Sequence, residues 1–193
     1  MIKFITVILA LLLLQGCNNI PYQRILPLVK SSIIGPEDIL VDQNIIDQKK
    51  FSFIKVRFGR KSIALMTLVN VNNDVYKWIS SDDVKIYTYN GKVIKIENFD
   101  NLNFEITNYR NLDIARGTNE LIFHNPLTFF SQDYELHKSP ENNNKFEVLE
   151  HVNTNEFRWS HTNRYYYSFG KPISTTQYIV PRMPSLKIDF YYK

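Results

Sequence analysis

Val84-Lys-Ile-Tyr-Thr-Tyr-Asn-Gly-Lys-Val-Ile-Lys-Ile96 consists of two runs in which apolar and polar residues alternate, joined by Asn90 and Gly91. Alternation with a period of two is typical of β-strands that bury one face. Asn-Gly between two such runs is the strongest short-range signal for a hairpin, because both residues tolerate the positive φ of a type I′ turn. The segment therefore predicts a tight antiparallel hairpin.

Similar strand patterns extend in both directions from this hairpin. Ser62 to Val71 is apolar on both faces, which is expected of a central strand covered on both sides. Because the chain has six glycines, asparagine and aspartate must occupy several positive-φ turn positions. Strands are predicted at residues 51–58, 62–71, 75–80, 84–89, 92–96, 102–107, 120–124, 127–136, 145–152, 157–161, 164–169, 175–180 and 186–192, with turns at 59–60, 72–74, 142–144 and 170–172.

The fold class indicated by this pattern is all-β. No segment after residue 50 has a sustained apolar period of 3.6 residues. A meander of many short antiparallel strands must hide its edges, and closure does this most simply. We therefore predict an antiparallel meander that forms a closed or nearly closed β-barrel. Lys85, Lys95 and Glu105 interrupt the candidate faces, which argues against a barrel with a lipid-facing surface.

The first 17 residues have the pattern of a bacterial lipoprotein signal. Lys3 precedes an apolar run that ends at Leu14 and is too short to span a membrane as a helix. Leu14-Gln-Gly-Cys17 resembles a lipobox, after which Cys17 would be the first mature residue and carry acyl chains such as palmitate. By analogy with enteric bacteria, where aspartate after this cysteine favours the inner membrane, Asn18 favours the outer membrane. The alternative is an ordinary cleaved signal with an accidental cysteine.

The predicted organisation has three parts: a signal peptide (residues 1–16), a lipidated N-terminus and tether (17–50) and a β-barrel-like domain (51–193). Prolines interrupt the tether at positions 21 and 27. Pro36, followed by two acidic residues, suits the first turn of a short helix that continues to Val41.

Charge and cysteine usage exclude two classes of function. The precursor has a net charge of +4, and removal of Lys3 with the signal leaves 22 − 19 = +3. The basic residues are scattered and form no stripe, which argues against nucleic-acid binding. Cys17 is the single cysteine, so the fold contains no disulfide and no catalytic thiol.

The sequence contains no motif for catalysis, a cofactor or a metal. It has no nucleophile elbow, phosphate-binding loop, dinucleotide fingerprint or zinc-protease motif, so neither an enzyme nor a cofactor is predicted. Asp82 and Asp83 are adjacent and would point to opposite faces of a strand, which indicates a solvated turn rather than paired catalytic carboxylates. Metal-ligand spacing is absent among the histidines, which are His124, His137, His151 and His161.

Aromatic residues concentrate in the last third of the chain. The densest group is Tyr165 to Tyr167, with Phe157, Trp159 and Phe169 nearby, and residues 190–192 form a second group. Ordinary strand packing accounts for such rings, because they fit a pleated surface. The alternative is a platform on which sugar rings stack or a partner docks. The residues predicted for glycan or partner contact are Trp159, Tyr165, Tyr166 and Tyr167.

Two segments carry a resemblance to a known family. The first is Val75-Tyr-Lys-Trp-Ile-Ser-Ser-Asp-Asp-Val-Lys-Ile-Tyr-Thr-Tyr-Asn-Gly-Lys-Val-Ile-Lys95, followed by Asp100-Asn-Leu102. The second is Phe157-Arg-Trp-Ser-His-Thr-Asn-Arg-Tyr-Tyr-Tyr167, which continues through Gly170-Lys-Pro-Ile-Ser-Thr-Thr-Gln-Tyr178. Together with the lipobox, these segments resemble the YjbF/GfcB/YmcC family of group 4 capsule and exopolysaccharide lipoproteins. The resemblance spans about residues 53–192 and is loose between 106 and 153.

The resemblance implies an outer-membrane lipoprotein encoded with capsule or exopolysaccharide export components, with a barrel-like β-domain and no known catalytic residues. We expect a non-enzymatic accessory in capsule or exopolysaccharide production or export. Its partners would be the membrane, through the lipid on Cys17, and polysaccharide or export proteins on the periplasmic side. A lipid- or glycolipid-binding β-barrel carrier is the alternative, and it requires an apolar cavity. A polysaccharide-modifying enzyme is a third hypothesis.

Overall fold

The computed structural model describes residues 40–59, 62–99, 102–109, 115–154, 156, 158–181 and 183–193. These residues form one short helix and twelve strands. The elements are α1 (Gln43–Gln48), β1 (Phe53–Phe58), β2 (Ser62–Asn72), β3 (Val75–Ile79), β4 (Lys85–Tyr89), β5 (Lys92–Phe99), β6 (Leu102–Ile106), β7 (Arg116–His124), β8 (Leu127–Lys138), β9 (Lys145–Thr154), β10 (Trp159–Ser168), β11 (Lys171–Gln177) and β12 (Leu186–Tyr191). The signal peptide, Cys17 and the tether up to residue 39 lie outside the described residues, so the predicted division of the chain stays a prediction.

The strands form an antiparallel meander that closes on itself. Each strand pairs with its neighbours in the sequence, and β1 pairs with β12. In this closing pair, Phe53 lies opposite Tyr191 and Phe58 lies opposite Leu186. Closure removes the two exposed edges that an open meander would have. The predicted all-β class and the closed barrel are confirmed.

The helix α1 begins later than the predicted one. The side chain of Asp42 caps it, since Oδ1 accepts a hydrogen bond from the Ile45 backbone N–H at 2.9 Å. Leu40 and Val41, the last residues of the predicted helix, precede α1 and are not helical, and residues 36–39 lie outside the described range. Among the described residues, no helix has the length and apolar character needed to cross a membrane.

Asparagine and aspartate occupy the turn positions, as the scarcity of glycine predicts. Asn73 and Asp74 both have positive φ at the turn between β2 and β3, and so do Asn143 and Asn144 between β8 and β9. Asn90 and Gly91, with φ of 48° and 79°, form the predicted turn between β4 and β5. These side chains tolerate the left-handed region better than branched or bulky ones do.

The prediction of separate strands at 157–161 and 164–169 was wrong, because β10 is continuous. Thr162 pairs with His151 and Asn163 pairs with Glu150. The Asn163 side chain is buried, and its Oδ1 accepts a hydrogen bond from the backbone N–H of Tyr178 at 2.8 Å. A polar residue that reads as a break in the pattern is thus kept in the strand by partners from a neighbouring part of the barrel.

The prediction that β2 is covered on both faces was also wrong. Met66 is buried in the interior, and Ala64 and Leu68 pack against the same core. Val69 and Val71 are 53% and 47% exposed. A barrel made from one closed sheet covers its inner face and leaves the outer face to solvent.

The barrel interior has an apolar region and a polar region. Trp78 is completely buried in the apolar region, where its Nε1–H donates to Thr88 Oγ1 at 2.9 Å and its ring packs against Phe190. Buried polar side chains belong to strands on the other side of the sheet order, and include Gln132, Glu150, Asn163, Thr175 and Gln177. The interior therefore contains a charged and hydrogen-bonding surface beside a packed apolar core.

A candidate binding site at the mouth of the barrel

Strands β9 and β10 present a row of side chains to the barrel interior. Because successive strand residues point to opposite faces, Phe146, Val148 and Glu150 of β9 share one face. Their partners on β10 are Tyr167, Tyr165 and Asn163, in that order. Glu150, Tyr165 and Asn163 are buried, which identifies this face as the inner one.

A cavity of about 420 Å³ opens along this row. Its volume is in the usual range for small-molecule sites. The turns at Asn90 and Gly170 border it, and β5, β8, β9 and β10 contribute lining residues. The lining residues are Asn90, Lys92, Ala115, Leu136, Lys138, Phe146, Val148, Glu150, Tyr165, Tyr167 and Gly170. We call this space the mouth cavity.

Glu150 lies at the buried end of the mouth cavity and accepts hydrogen bonds from three side chains. Lys92 Nζ donates to Oε1. Asn163 Nδ2 donates to Oε2 at 2.9 Å, and the Tyr165 hydroxyl donates to the same oxygen at 2.6 Å. A carboxylate buried in this way is held by charge-assisted bonds, which are the strongest hydrogen bonds in proteins.

Opposing effects determine the protonation of this cluster. Burial by itself raises the pKa of Glu150, but the Lys92 charge and the donated hydrogen bonds outweigh it, so the pKa lies below its ordinary value. Burial and the neighbouring carboxylate raise the pKa of Tyr165 well above its ordinary value. At neutral pH, Glu150 is therefore ionised and Tyr165 keeps its proton.

The hairpin that carries Lys92 is fixed from the opposite side of the barrel by Gln177. The Gln177 side chain accepts a hydrogen bond from the Val93 backbone N–H and donates one to the Gly91 carbonyl, both at 2.9 Å. The ring of Tyr134 lies below the Lys92 ammonium, 5.5 Å from Nζ to the ring centroid. These contacts hold the ammonium in a defined position at the floor of the mouth cavity.

A stacked aromatic pair forms one wall nearer to solvent. The rings of Phe146 and Tyr167 are 4.7 Å apart and almost parallel. Lys138 places its Nζ 3.8 Å from the Phe146 ring centroid. The Tyr167 hydroxyl donates to the Asn90 carbonyl at 2.7 Å, so the wall is connected to the hairpin turn across the opening.

Comparison with known proteins shows a similarity to one family. The family model described as "Group 4 capsule polysaccharide lipoprotein gfcB, YjbF" matches residues 28–122, just under half of the chain. Over these residues the chain is similar to the YjbF family. The predicted recognition is thus confirmed. The matched segment contains Lys92, whereas Glu150 and Tyr165 lie beyond it.

Two similar proteins come from Escherichia coli K12. The "uncharacterized lipoprotein GfcB" is 26% identical over 97 residues, which are 50% of this chain and 45% of that protein. The match thus spans about half the length of this relative. The crystal structure of the hypothetical lipoprotein YmcC superposes with a TM-score of 0.66 at 17% identity, covering 78% of this chain and 88% of YmcC. At this identity, the likeness to YmcC shows the fold alone.

The four aromatic residues predicted for contact do not form one platform in the barrel. Tyr165 and Tyr167 both line the mouth cavity. Tyr166 points to the outer face, where it is 38% exposed and borders a groove with Ile173. Trp159 stacks on His161, with the ring centroids 4.0 Å apart, at the other end of β10. Strand alternation places Tyr166 on the opposite face from Tyr165 and Tyr167. Trp159 is separated from them by its distance along β10. Phe157 lies outside the described residues.

The other sequence candidates lie away from the mouth cavity. Asp82 and Asp83 are exposed in the turn before β4, as predicted, and Asp83 contacts Lys85 and Asn98. The described residues contain no group of three histidine, cysteine, aspartate or glutamate side chains placed to hold a metal. His161 is half-buried, and burial lowers its pKa to about 4, so its ring is neutral at physiological pH.

Sequence reasoning missed Lys92, Lys138, Phe146 and Glu150. One signal for Glu150 was present in the sequence. It alternates with Phe146, Val148 and Val152 in a strand, and a charged residue on an apolar strand face marks either a broken strand or a buried site. The sequence contains no comparable signal for its partner Lys92, which is one of several lysines in exposed-looking hairpins.

Proposed function

We propose that this chain is a member of the YjbF family and acts as a non-enzymatic accessory in capsule or exopolysaccharide production or export. The observation that carries the proposal is the match of residues 28–122 to a family of capsule polysaccharide lipoproteins. The structure adds a cavity with a charged floor and an aromatic wall. Such a cavity suits a protein that binds a ligand or partner during the assembly of polysaccharide.

The chemistry of the mouth cavity supports binding rather than catalysis. Glycoside hydrolysis usually needs two carboxylates with different roles, and Glu150 is the single carboxylate among the described residues of the lining. Its oxygens accept three hydrogen bonds, and its lowered pKa makes it a poor proton donor or base at neutral pH. Burial and the Glu150 carboxylate raise the pKa of Tyr165, so its hydroxyl stays protonated at neutral pH and is a poor nucleophile.

The proposed location is the periplasmic face of the outer membrane, with acyl chains on Cys17 as the anchor. The lipobox Leu14 to Cys17 supports lipidation. Each buried CH₂ of an acyl chain contributes about 0.8 kcal/mol, so two or three chains hold a protein firmly at a membrane. Asn18 supports the outer membrane by analogy with enteric lipoprotein sorting.

The second candidate function is that of a glycolipid carrier, and one feature of the cavity favours it. Leu136, Val148 and Phe146 form an apolar part of the wall. The floor, however, contains the charged pair Lys92 and Glu150, and an acyl chain would strip these groups of polar contacts. The lining therefore suits a sugar better than the hydrocarbon part of a lipid.

Deletion of the gene and complementation test the proposed role. We expect deletion to reduce surface polysaccharide, wild-type protein to restore it, and Cys17→Ala, expressed at an equal level, to leave the membrane fraction and fail to restore it. Full polysaccharide output after deletion would overturn the accessory role.

Two further measurements test the anchor and the absence of catalysis. Absence of labelled palmitate on the wild-type protein would overturn the anchor. Turnover of capsule glycan by the purified protein would overturn the non-enzymatic assignment.

A further inference from the structure

The described lining of the mouth cavity carries an excess of positive charge. It contains the ammonium groups of Lys92 and Lys138 and the carboxylate of Glu150, which is a net charge of +1. Within the described part of the chain, no carboxylate forms an ion pair with Lys138, whose ammonium lies over the Phe146 ring. A ligand with a negative charge would compensate this excess.

Lys92 keeps hydrogen-bonding capacity for a ligand. An ammonium group has three donors, and Glu150 accepts one of them. The remaining neighbour identified for the ammonium within the described residues is the Tyr134 ring, a π-face. Glu150, by contrast, accepts three bonds, so its role is to hold Lys92 and Tyr165 in place. Lys92 is the floor group that faces an incoming ligand oxygen.

The buried ion pair has no clear advantage for stability alone. Removing two charges from water costs several kcal/mol per ion, and well-packed apolar residues often serve a core equally well. Here the pair lies at the floor of a cavity that is open to solvent. A fixed ammonium at that position is what recognition of an oxygen-rich anion requires, because preorganised donors need no rearrangement when the ligand binds.

The walls fit a sugar ring. Tyr167 provides aromatic surface beside Phe146, whose ring is contacted by Tyr167 and by the Lys138 ammonium. Leu136 and Val148 provide apolar surface. A pyranose ring has C–H patches that pack on such surfaces, and hydroxyl groups that bond to polar side chains. With two ammonium groups at different depths, the same space accommodates a ring that carries a carboxylate.

We propose that the mouth cavity binds a single uronic acid unit of an acidic polysaccharide, with the sugar carboxylate directed to Lys138 and Lys92. This inference rests on the proposed role in capsule or exopolysaccharide production, and it names the ligand class of that role. The remainder of the polysaccharide chain leaves through the opening between Asn90 and Gly170, where the cavity meets solvent.

Binding of two matched disaccharides to the lipidated full chain in detergent micelles tests the inference. The probes are digalacturonate, which is acidic, and galactobiose, which is neutral, and calorimetry measures both affinities. We expect digalacturonate to bind at least tenfold more tightly. Equal affinity for the two probes, or no binding of either one, would overturn the inference.

Two lysines on the same hairpin provide a matched pair of variants. Lys138 lines the mouth cavity, whereas Lys145 lies outside its lining, and both are exposed, so neither change should disturb folding. Lys138→Gln should weaken digalacturonate binding by about tenfold, the usual effect of one charge-assisted contact. Lys145→Gln should change it less than twofold. Equal effects of the two variants would indicate general attraction between charges and contradict the site.

A steric variant tests the position of the site independently of charge. Ala115 is exposed and lines the mouth cavity, so Ala115→Trp should fill the opening and abolish digalacturonate binding without a loss of thermal stability. Unchanged binding by this variant would place the ligand elsewhere and overturn the inference. Native mass spectrometry of the purified protein checks for a bound acyl lipid. An acyl lipid in the cavity would overturn the inference and indicate a glycolipid as the ligand.

The outcomes separate this inference from the proposed function. If deletion reduces capsule but neither disaccharide binds, the accessory role stands and the uronic acid site is wrong. If digalacturonate binds as described but deletion leaves capsule unchanged, the site stands and the proposed role in capsule production is wrong.

Discussion

Lys92 and Glu150 are 58 positions apart in the sequence and form an ion pair inside the barrel, where Glu150 is fully buried. The pair connects β5 to β9, two strands that are not neighbours in the sheet. It crosses the polar part of the interior and forms the floor of the mouth cavity. Loss of one partner would therefore leave a buried charge uncompensated in the site that we propose.

Breaking this pair on one side should be strongly destabilising. Glu150→Gln and Lys92→Met should each lower the free energy of unfolding by about 3–5 kcal/mol, because each leaves a buried charge without its partner. The double variant should cost less than the sum of the two, since it leaves no charge uncompensated. Urea denaturation of the full chain measures all three. The control is the exposed Lys187, which pairs with the half-buried Asp189, and Lys187→Met should cost less than about 1 kcal/mol. Strict additivity of the two single changes would contradict coupling.

Stability in acid should depend on Glu150. Its folded pKa lies below the ordinary value of 4.5, so the folded carboxylate binds protons less readily than the unfolded one. Its contribution is therefore complete above about pH 4.5 and is lost as the pH falls through the folded pKa. Urea midpoints measured from pH 7 to pH 3 should fall less steeply in Glu150→Gln than in the wild type. If the urea midpoints of the two proteins fall equally with pH, another group causes the loss of stability in acid.

His161 should lower stability in a different pH window. Burial, aided by the Lys92 charge and opposed by Glu150, lowers the pKa of this ring from 6.5 to about 4. The unfolded chain then binds a proton between these values that the folded ring does not bind, so stability decreases as the pH falls from 6.5 to 4. His161→Phe keeps an aromatic ring on Trp159 and should remove this slope from the urea midpoints. The same slope in the variant would rule out His161 as its source.

Trp78 and Thr88 should be coupled through their buried hydrogen bond. Thr88→Val leaves the Trp78 Nε1–H without its acceptor and should cost about 1–3 kcal/mol. In a Trp78→Phe background, the same change should cost clearly less, because no indole N–H remains to be satisfied. A double-mutant cycle by urea denaturation checks this difference. An equal cost in both backgrounds would mean that the hydrogen bond contributes little.

Two turn glycines provide a matched test of packing at positive φ. Gly91 and Gly170 have φ of 79° and 74°, so alanine is strained at both. A Cβ at Gly91 would lie 2.7 Å from Pro172 Cβ, whereas a Cβ at Gly170 meets nothing within 4 Å. Gly91→Ala should therefore cost more than Gly170→Ala, which should cost about 1–3 kcal/mol from backbone strain. The urea midpoints compare them, and equal losses would show that contact with Pro172 is unimportant.

Local sequence features predicted strands and turns well where the chain itself supplies the reason. The Asn90-Gly91 turn and the alternation on either side of it are properties of adjacent residues, and both are confirmed. The prediction failed at Thr162 and Asn163, which the pattern reads as a break. Asn163 bonds to Glu150 and Tyr178, and Thr162 bonds to His151. None of these partners lies within a short window of sequence around them.

The candidate site was predictable only in part. Tyr165 and Tyr167 were expected to contact a glycan or partner, and they line the mouth cavity. Tyr166 was expected to join them, but strand alternation places it on the outer face. Glu150 stands out in the sequence as a charge on an apolar strand face, whereas Lys92 does not stand out, because the role of a lysine depends on what lies opposite it.

The sequence alone determined the all-β class, the scarcity of glycine in the turns and the resemblance to the YjbF family, since each depends on residue types at short spacing. Tertiary structure decided which face of each strand became the interior, and it brought Lys92 to Glu150. The physical reason is that closure of the meander pairs β1 with β12 and gives all twelve strands one shared interior. Charges from distant strands meet there, where burial makes their interaction strong.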